Sequence, residues 1–239
     1  ILLAVFFVQG LAFFAMSIAI SVAARPHAML TMARSVWLLA AFGFLHSAAS
    51  WLELAQLLRR DVPPDLIASL PTILLVLYST ALAQFGANVV ADLAPKYRRV
   101  RSLPMMLFLW TSIPALVVIY NDGGSTRGLV IAEVMARYII YLPAALLSAL
   151  AFYLQGRVSS FDRLPNLRRD YRFAAVTFAI YALSGGLLVP TSILLSAQLD
   201  GVYAPSSIAQ LPIQVVRLLL APVAAWAVVR AMRIFELEH

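Results

Sequence analysis

Four charged side chains lie inside apolar stretches of the sequence, where ionised groups are costly. They are Glu53, Glu133, Arg137 and Arg217. A charge at the centre of a bilayer costs about 2.5–3.5 kcal/mol on insertion scales, so such residues usually pair and face a bundle interior. Two carboxylates and two guanidinium groups sum to zero charge, as expected of paired groups. These residues are therefore the first candidates for a binding or sensing site.

Polar residues extend from these charges along three helix faces, because residues three or four apart share a face. The candidate ligand-binding or sensing residues are His46, Ser50 and Glu53 on one face, Glu133, Arg137 and Tyr141 on a second, and Gln214 and Arg217 on a third. Counted from the nearest loops at about 1.5 Å per residue, the four charges all fall in the outer half of the bilayer. The pattern predicts a polar cavity there, with His46 at its floor.

Two interpretations of this cluster stay open. Buried Glu–Arg pairs and helix-face hydroxyls often only lock helices together, which would make the cluster a structural clamp. Alternatively, the cavity binds a small-molecule or lipid ligand, and His46 contributes to sensing because histidine titrates near neutrality.

Composition defines the class of protein that holds this cluster. The chain has 239 residues, of which 62% are hydrophobic and 12% charged, and its mean hydropathy is +0.88. Soluble domains are nearer half apolar and one quarter charged, so we expect an integral membrane protein in contact with the lipid bilayer. The net charge of +7 is better explained by membrane orientation than by nucleic-acid binding.

Several chemistries lack the residues they need. There is no cysteine, which excludes disulfides and thiolate metal sites. Three histidines argue against haem or a multi-histidine metal site, and retinal needs a lysine in the last span, whereas Lys96 is the only lysine and lies in a loop. No phosphate-binding loop or hydrolase motif is found. We therefore expect neither catalysis nor a cofactor.

Apolar runs separated by charged or Pro/Gly-rich breaks predict a single all-α domain, a polytopic bundle of seven transmembrane helices. The predicted spans are 1–24, 35–58, 69–93, 105–120, 129–155, 171–194 and 213–235. Thirteen Lys and Arg residues fall on one side of this arrangement and three on the other. By the positive-inside rule the N-terminus is outside and the C-terminus cytoplasmic.

Three stretches resemble the N-terminal multi-span sensor region of bacterial sensor histidine kinases and related signalling proteins. They are Phe6-Phe7-Val8-Gln9-Gly10-Leu11-Ala12-Phe13-Phe14, Leu38-Leu39-Ala40-Ala41-Phe42-Gly43-Phe44-Leu45-His46 with Trp51-Leu52-Glu53, and Arg230-Ala231-Met232-Arg233-Ile234-Phe235-Glu236-Leu237-Glu238. The resemblance implies that His46 and Glu53 match the family's His and Glu in span two. It also implies a homodimer in the bacterial inner membrane, and a cytoplasmic signalling domain later in a longer chain.

The leading hypothesis is therefore a membrane-embedded sensory input domain of a two-component system. A signal in the outer cavity would pass through the last span to an output helix containing Arg230, Arg233 and Glu236. One alternative is a small transporter or channel, which predicts a continuous polar path toward Asn88 and Asp92 at the cytoplasmic side. The other is a structural subunit of a larger membrane complex, which predicts closed Glu–Arg clamps.

Overall fold

Seven long helices make up most of the part of the chain that the structure describes. The computed structural model describes residues 2–23, 31–58, 69–121, 126–158, 165–187 and 210–232, and these contain no β-strand. The helices are α1 (Leu2–Ala23), α2 (Val36–Leu58), α3 (Leu70–Leu93), α4 (Leu103–Asn121), α5 (Thr126–Ala136, Arg137–Tyr141 and Leu142–Gln155), α6 (Pro165–Ala182 and Leu183–Leu187) and α7 (Gln210–Met232). Two 3₁₀ segments, Thr31–Arg34 and Pro95–Ser102, precede α2 and α4. The all-α prediction is confirmed for the described residues.

Among the described residues, five helical stretches are long and apolar enough to cross a membrane. They are Leu3–Ala23, Val36–Gln56, Leu70–Leu93, Pro95–Asn121 and Gly128–Gln155. Within α7, Leu218–Arg230 is a shorter apolar stretch, and α6 begins in a segment rich in arginine. The length and apolar character of the five stretches indicate a membrane protein.

Six of the seven helices form a closed ring. Going round it, α1 packs on α2, α2 on α3, α3 on α5, α5 on α6, α6 on α7 and α7 on α1. Helix α4 lies outside the ring against α3 and α5. Its buried residues are only Pro104, Thr111 and Ala115, whereas Trp110 is 71% exposed.

Side-chain contacts define the helix directions. Gln9 and Ser17 of α1 contact His46 and Ala40 of α2, so these two helices are antiparallel. Helices α3 and α5 are instead parallel, because Tyr78 pairs with Tyr141 and Phe85 with Phe152. Helix α4 connects them along the outside of the ring. We call the end of the bundle where α2 and α4 finish the upper end, and the opposite end the lower end.

Small residues allow the closest helix contacts in the ring. A Cβ atom on Gly86 of α3 would lie 2.8 Å from backbone atoms of Leu147 and Ser148 in α5. The buried hydroxyl of Ser148 donates to the carbonyl of Leu82, 3.0 Å away. Because lipid-embedded helices associate through close packing and hydrogen bonds, these small residues explain why α3 lies against α5.

The helix boundaries agree with the predicted spans to within a few residues at most described ends. The clearest difference is α6, which begins at Pro165, six residues before the predicted span. Proline suits the first turn of a helix, and Leu167 and Tyr171 are buried in the protein, so the helix extends beyond its apolar part. Residues 188–194 and 233–235 of the predicted spans lie outside the described residues.

Basic side chains collect at the lower end. Ten of them lie there: Arg34, Lys96, Arg98, Arg99, Arg101, Arg157, Arg168, Arg169, Arg172 and Arg230. Of the other basic residues in the described helices, Arg127 begins α5 at the upper end, and Arg137 and Arg217 lie within α5 and α7. Arg101 pairs with Asp92, and Arg230 Nε lies 2.7 Å from Asp170 Oδ1. The second pair joins the beginning of α6 to the end of α7.

Candidate functional site

Two π-helical turns face each other at the centre of the candidate site. Arg137–Tyr141 forms one in α5 and Leu183–Leu187 the other in α6. The first ends just before Pro143, which lacks an amide hydrogen and clashes with a regular preceding turn. In the second, a Cβ on Gly185 would lie 2.1 Å from the hydroxyl oxygen of Tyr141, so a larger residue would not fit the present packing. Single π turns are frequent at functional sites.

A partly open pocket lies beside these turns, inside the ring. It is lined by Phe6, Gln9, His46, Ala49, Ser50, Glu53, Tyr78, Arg137, Tyr141, Tyr181 and Gly185. These residues come from α1, α2, α3, α5 and α6. The free space that water-sized molecules can reach is about 30 Å³, which is room for about two waters.

His46 is buried on the wall of this pocket and contacts three helices. Its Nε2 atom lies 2.9 Å from Nε2 of Gln9 and 3.1 Å from the hydroxyl of Tyr181. Its ring packs edge-on against Phe13, at a centroid distance of 4.3 Å, and against Tyr78, at 4.5 Å. These contacts hold the imidazole in one orientation between α1, α3 and α6.

Arg137 carries the positive charge of the pocket. Its Nε donates to Oε1 of Glu133, 2.9 Å away, and its Nη2 donates to the same oxygen. A third donor, Nη1, lies 3.5 Å from the carbonyl of Gly185 in α6. Glu53 also attracts the guanidinium electrostatically. Because Glu133 and Arg137 are one turn apart on α5, their ion pair does not itself join two helices, unlike the clamp considered above.

Tyrosine side chains connect the pocket wall to the π turn of α6. The hydroxyl of Tyr141 donates to the backbone carbonyl of Tyr181, 3.3 Å away, and Ser184 Oγ donates to the same carbonyl at 3.2 Å. The side chain of Tyr181 contacts His46. One residue therefore contacts the histidine with its hydroxyl and the π turn with its backbone.

The structure brings together five of the eight residues expected at the site. His46, Ser50 and Glu53 line the pocket from α2, and Arg137 and Tyr141 line it from α5. Glu133 adjoins the pocket through Arg137, and Ser50 Oγ donates to the carbonyl of His46. The side chains of Gln214 and Arg217 lie outside the described part of the chain.

The predicted output residues are placed only in part. Arg230 pairs with Asp170, and its guanidinium lies 4.9 Å from the ring centroid of Trp226. Arg233 and Glu236 lie outside the described residues. The contacts of Arg230 therefore connect the lower end of α7 to α6.

Sequence reasoning missed Gln9, Tyr78 and Tyr181, which line the pocket from α1, α3 and α6. Each of these polar residues lies in a predominantly apolar stretch of its helix. No series of polar residues at helical spacing therefore marked the face that lines the pocket. Gln9 is the only amide in α1, which could have marked it. The sequence patterns predicted a pocket between spans two, five and seven. Its described lining includes α2 and α5, as predicted, together with α1, α3 and α6.

Among the described side chains, no group of three or more His, Asp or Glu residues is arranged to hold a metal ion. Comparisons with protein-family models, with curated proteins and with solved structures gave no match.

Proposed function

We propose that this chain is the sensory input domain of a bacterial membrane signalling protein. In this proposal all seven helices span the inner membrane, with the N-terminus outside and the C-terminus in the cytoplasm. The pocket at His46 receives the signal, and α7 passes it to a cytoplasmic domain such as a histidine kinase. A homodimer, as in the sensor regions that the chain resembles, is part of the same proposal.

The observation that carries the proposal is the polar pocket between the two π turns. A signal must bind more tightly to one arrangement of the bundle than to another. The pocket combines charged groups, room for water and two irregular helix turns. The π turn of α6 contains two adjacent glycines, which allow the backbone of α6 to change conformation beside the pocket. A purely structural bundle does not need ionisable groups around an open space inside the ring.

The distribution of basic residues supports the proposed orientation. Ten Lys and Arg residues of the described helices and their flanking turns lie at the lower end, whereas Arg127 alone begins a described helix at the upper end. Positively charged loops are retained in the cytoplasm. The pocket then opens on the outer half of the membrane, and α7 ends on the cytoplasmic side.

Helix α6 offers the route from the pocket to α7. It contacts His46 through Tyr181 and Arg137 through Gly185. Near its beginning, Asp170 pairs with Arg230, and Phe173 packs edge-on against Trp226 at a centroid distance of 5.4 Å. A shift of α6 at the pocket would therefore move the lower end of α7.

The packing below the pocket favours a sensor over a transporter. Four phenylalanines, Phe42, Phe85, Phe152 and Phe178, are buried in the ring on the lower side of His46. Their rings form one contiguous set of contacts that also includes Tyr181. Asn88 and Asp92 instead bond to Gln84 and Arg101. Among the described residues, the polar path that transport would need is interrupted by this aromatic layer.

A kinase fusion tests the proposal. A histidine kinase domain is joined to α7 in each of several successive helical registers, and autophosphorylation is measured in liposomes. We expect Glu53→Gln to change the rate several-fold in at least one register, on the scale of about 1–3 kcal/mol typical of coupled sites. The matched control is Asp92→Asn, which removes a carboxylate outside the pocket. Equal rates for both variants and the parent in every register would contradict a sensory role.

A further inference from the structure

The proposed function leaves the ligand of the pocket undefined. We infer that this ligand is a proton, taken up from the outer side and held at His46 with Glu53 nearby. The inference rests on the proposed function for its biological meaning, but proton binding itself can be measured separately. In the binding step an O–H bond of a hydronium ion breaks, its proton bonds to the Nε2 lone pair, and a neutral water molecule is left; the ring then carries the one positive charge.

The size of the pocket limits what it can hold. Its accessible space of about 30 Å³ takes about two waters, so an organic molecule would have to displace the surrounding helices. A proton needs no additional volume, and water in the partly open pocket can deliver it. The present arrangement therefore suits a proton better than a larger ligand.

The partners of His46 can serve both protonation states of the ring. Gln9 donates to Nε2 through its amide nitrogen in the arrangement observed, which requires that Nε2 carry no hydrogen. When Nε2 is protonated, the amide can turn to present its oxygen. The hydroxyl of Tyr181, 3.1 Å from the same nitrogen, can donate in one state and accept in the other. Neither state leaves Nε2 without a hydrogen-bond partner.

The charges that face His46 also favour an added proton. Among the described side chains, the titratable or charged groups around the pocket are Glu53 on α2, Tyr78 on α3, Glu133, Arg137 and Tyr141 on α5, and Tyr181 on α6. Helix α1 contributes the neutral Gln9. With ionised carboxylates and neutral tyrosines, these groups carry one negative charge in excess, and protonation of His46 brings their sum to zero.

Protonation would act on the helices through the same contacts. Turning the Gln9 amide and the Tyr181 hydroxyl changes a contact of α1 and a contact of α6 at once. Tyr181 also lies two residues before the π turn of α6, and its carbonyl accepts from Tyr141 and Ser184. The site is therefore placed to convert a proton into a shift of α6 relative to α5.

Histidine NMR tests the inference directly. With His27 and His239 changed to Gln, ¹⁵N-labelled histidine in nanodiscs reports His46 alone, since the chain has three histidines. We expect Nε2 to change from the neutral to the protonated signal with one midpoint between about pH 5 and 8, the range in which histidine ordinarily titrates. A ring that keeps one neutral or one charged signal from pH 5 to 9 would overturn the inference.

A second comparison separates the built site from an ordinary histidine. Tyr181→Phe removes one hydrogen-bond partner of Nε2, and we expect it to move the titration midpoint by about half a pH unit or more. Tyr153→Phe, at a 42% exposed position on α5, is the matched control and should leave the midpoint unchanged. Equal midpoints for all three proteins would count against proton uptake controlled by this pocket.

Trp226 reports whether the proton is transmitted. With Trp37, Trp51 and Trp110 changed to Phe, emission from Trp226 is followed against pH at constant Na⁺, and then against Na⁺ at constant pH. A pH response that disappears in His46→Gln supports the inference. A Na⁺ response without histidine titration overturns it but leaves the sensor proposal standing. Histidine titration without any change at Trp226 supports proton binding and counts against the sensor proposal.

Discussion

Arg137 shows how a single ion pair is tolerated inside this bundle. Its side chain is 15% exposed and bonds to Glu133, which is 32% exposed, and it also reaches the carbonyl of Gly185. The pair is thus partly solvated and partly bonded across helices. Pairing lowers the free-energy cost of desolvating the two charges beside the pocket, because an unpaired charge in this position would be much less favourable.

Removing the guanidinium should therefore be more costly than removing a surface one. We expect Arg137→Gln to lower the free energy of unfolding by about 1–3 kcal/mol, since Glu133 loses its partner. The measurement is reversible denaturation in mixed micelles.

The matched control is Arg101→Gln, because the pair of Arg101 with Asp92 is more exposed and should cost less than about 1 kcal/mol. Adding Glu133→Gln to Arg137→Gln should recover part of the loss. Equal losses of unfolding free energy for Arg137→Gln and Arg101→Gln would contradict the greater burial of the Arg137 side chain.

At this scale the sequence predicted the site residues that share a helix face with a buried charge, but it did not predict Gln9, Tyr78 or Tyr181. Helical spacing placed His46, Ser50 and Glu53 on one face, and the structure has all three at one pocket. Gln9 and Tyr181 could not be found this way, because nothing in their own helices distinguishes the side that faces His46. Their role depends on which helices are neighbours, and spacing within one helix carries no such information.

The π turns of α5 and α6 are the elements that form the site. Both are adapted to each other, since Gly185 leaves room for the Tyr141 ring and Gly186 lies against Leu142. The prolines and glycines of these spans were visible in the sequence. A π turn could not be inferred from them, because Pro and Gly are common in membrane helices that have no such turn.

Filling the space at Gly185 should disturb both turns. In Gly185→Ala the new Cβ would meet Cε1 and the hydroxyl of Tyr141 at 2.5 and 2.1 Å, so the ring must move and its bond to the Tyr181 carbonyl is lost. We expect a loss of about 1–3 kcal/mol in the free energy of unfolding, measured by the same denaturation.

Gly156→Ala is the control, because its nearest contact would be 3.0 Å, to Cβ of Tyr171, and its next 3.5 Å. Combining Gly185→Ala with Tyr141→Leu should relieve most of the clash. A Gly185→Ala protein as stable as the parent would show that the two turns are not tightly packed.

The whole molecule differs from a simple consecutive bundle because α4 lies outside the ring. Hydropathy predicts the number and approximate limits of the helices, but it does not predict that α3 and α5 are neighbours. That contact depends on Gly86 and Ser148, two small residues whose partners lie in another helix. Only the structure shows the order of the helices in the ring, and therefore that α3 and α6 contribute to the pocket wall.

The proposed orientation predicts which ends are accessible from each side. Because the chain has no cysteine, single cysteines can be introduced and treated with a membrane-impermeant maleimide on intact cells. We expect Asn121→Cys at the upper end to react from outside, whereas Ser102→Cys, Arg169→Cys and Val229→Cys react only after permeabilisation. Labelling of Arg169→Cys or Val229→Cys in intact cells would contradict a seven-span arrangement with a cytoplasmic C-terminus.

A sensory role requires that the pocket and the lower end of α7 be energetically coupled, and a distance measurement can detect this coupling. Spin labels are attached at Lys96→Cys and Val229→Cys, near the lower ends of α3 and α7 on opposite sides of the ring. The distribution of distances between the two labels is recorded in nanodiscs. Glu53→Gln should shift that distribution by about 1–2 Å or redistribute its populations, as helix shifts of this kind do. Thr80→Val, which removes a hydroxyl outside the pocket, should leave it unchanged. Superimposable distributions for the parent, Glu53→Gln and Thr80→Val would contradict the coupling.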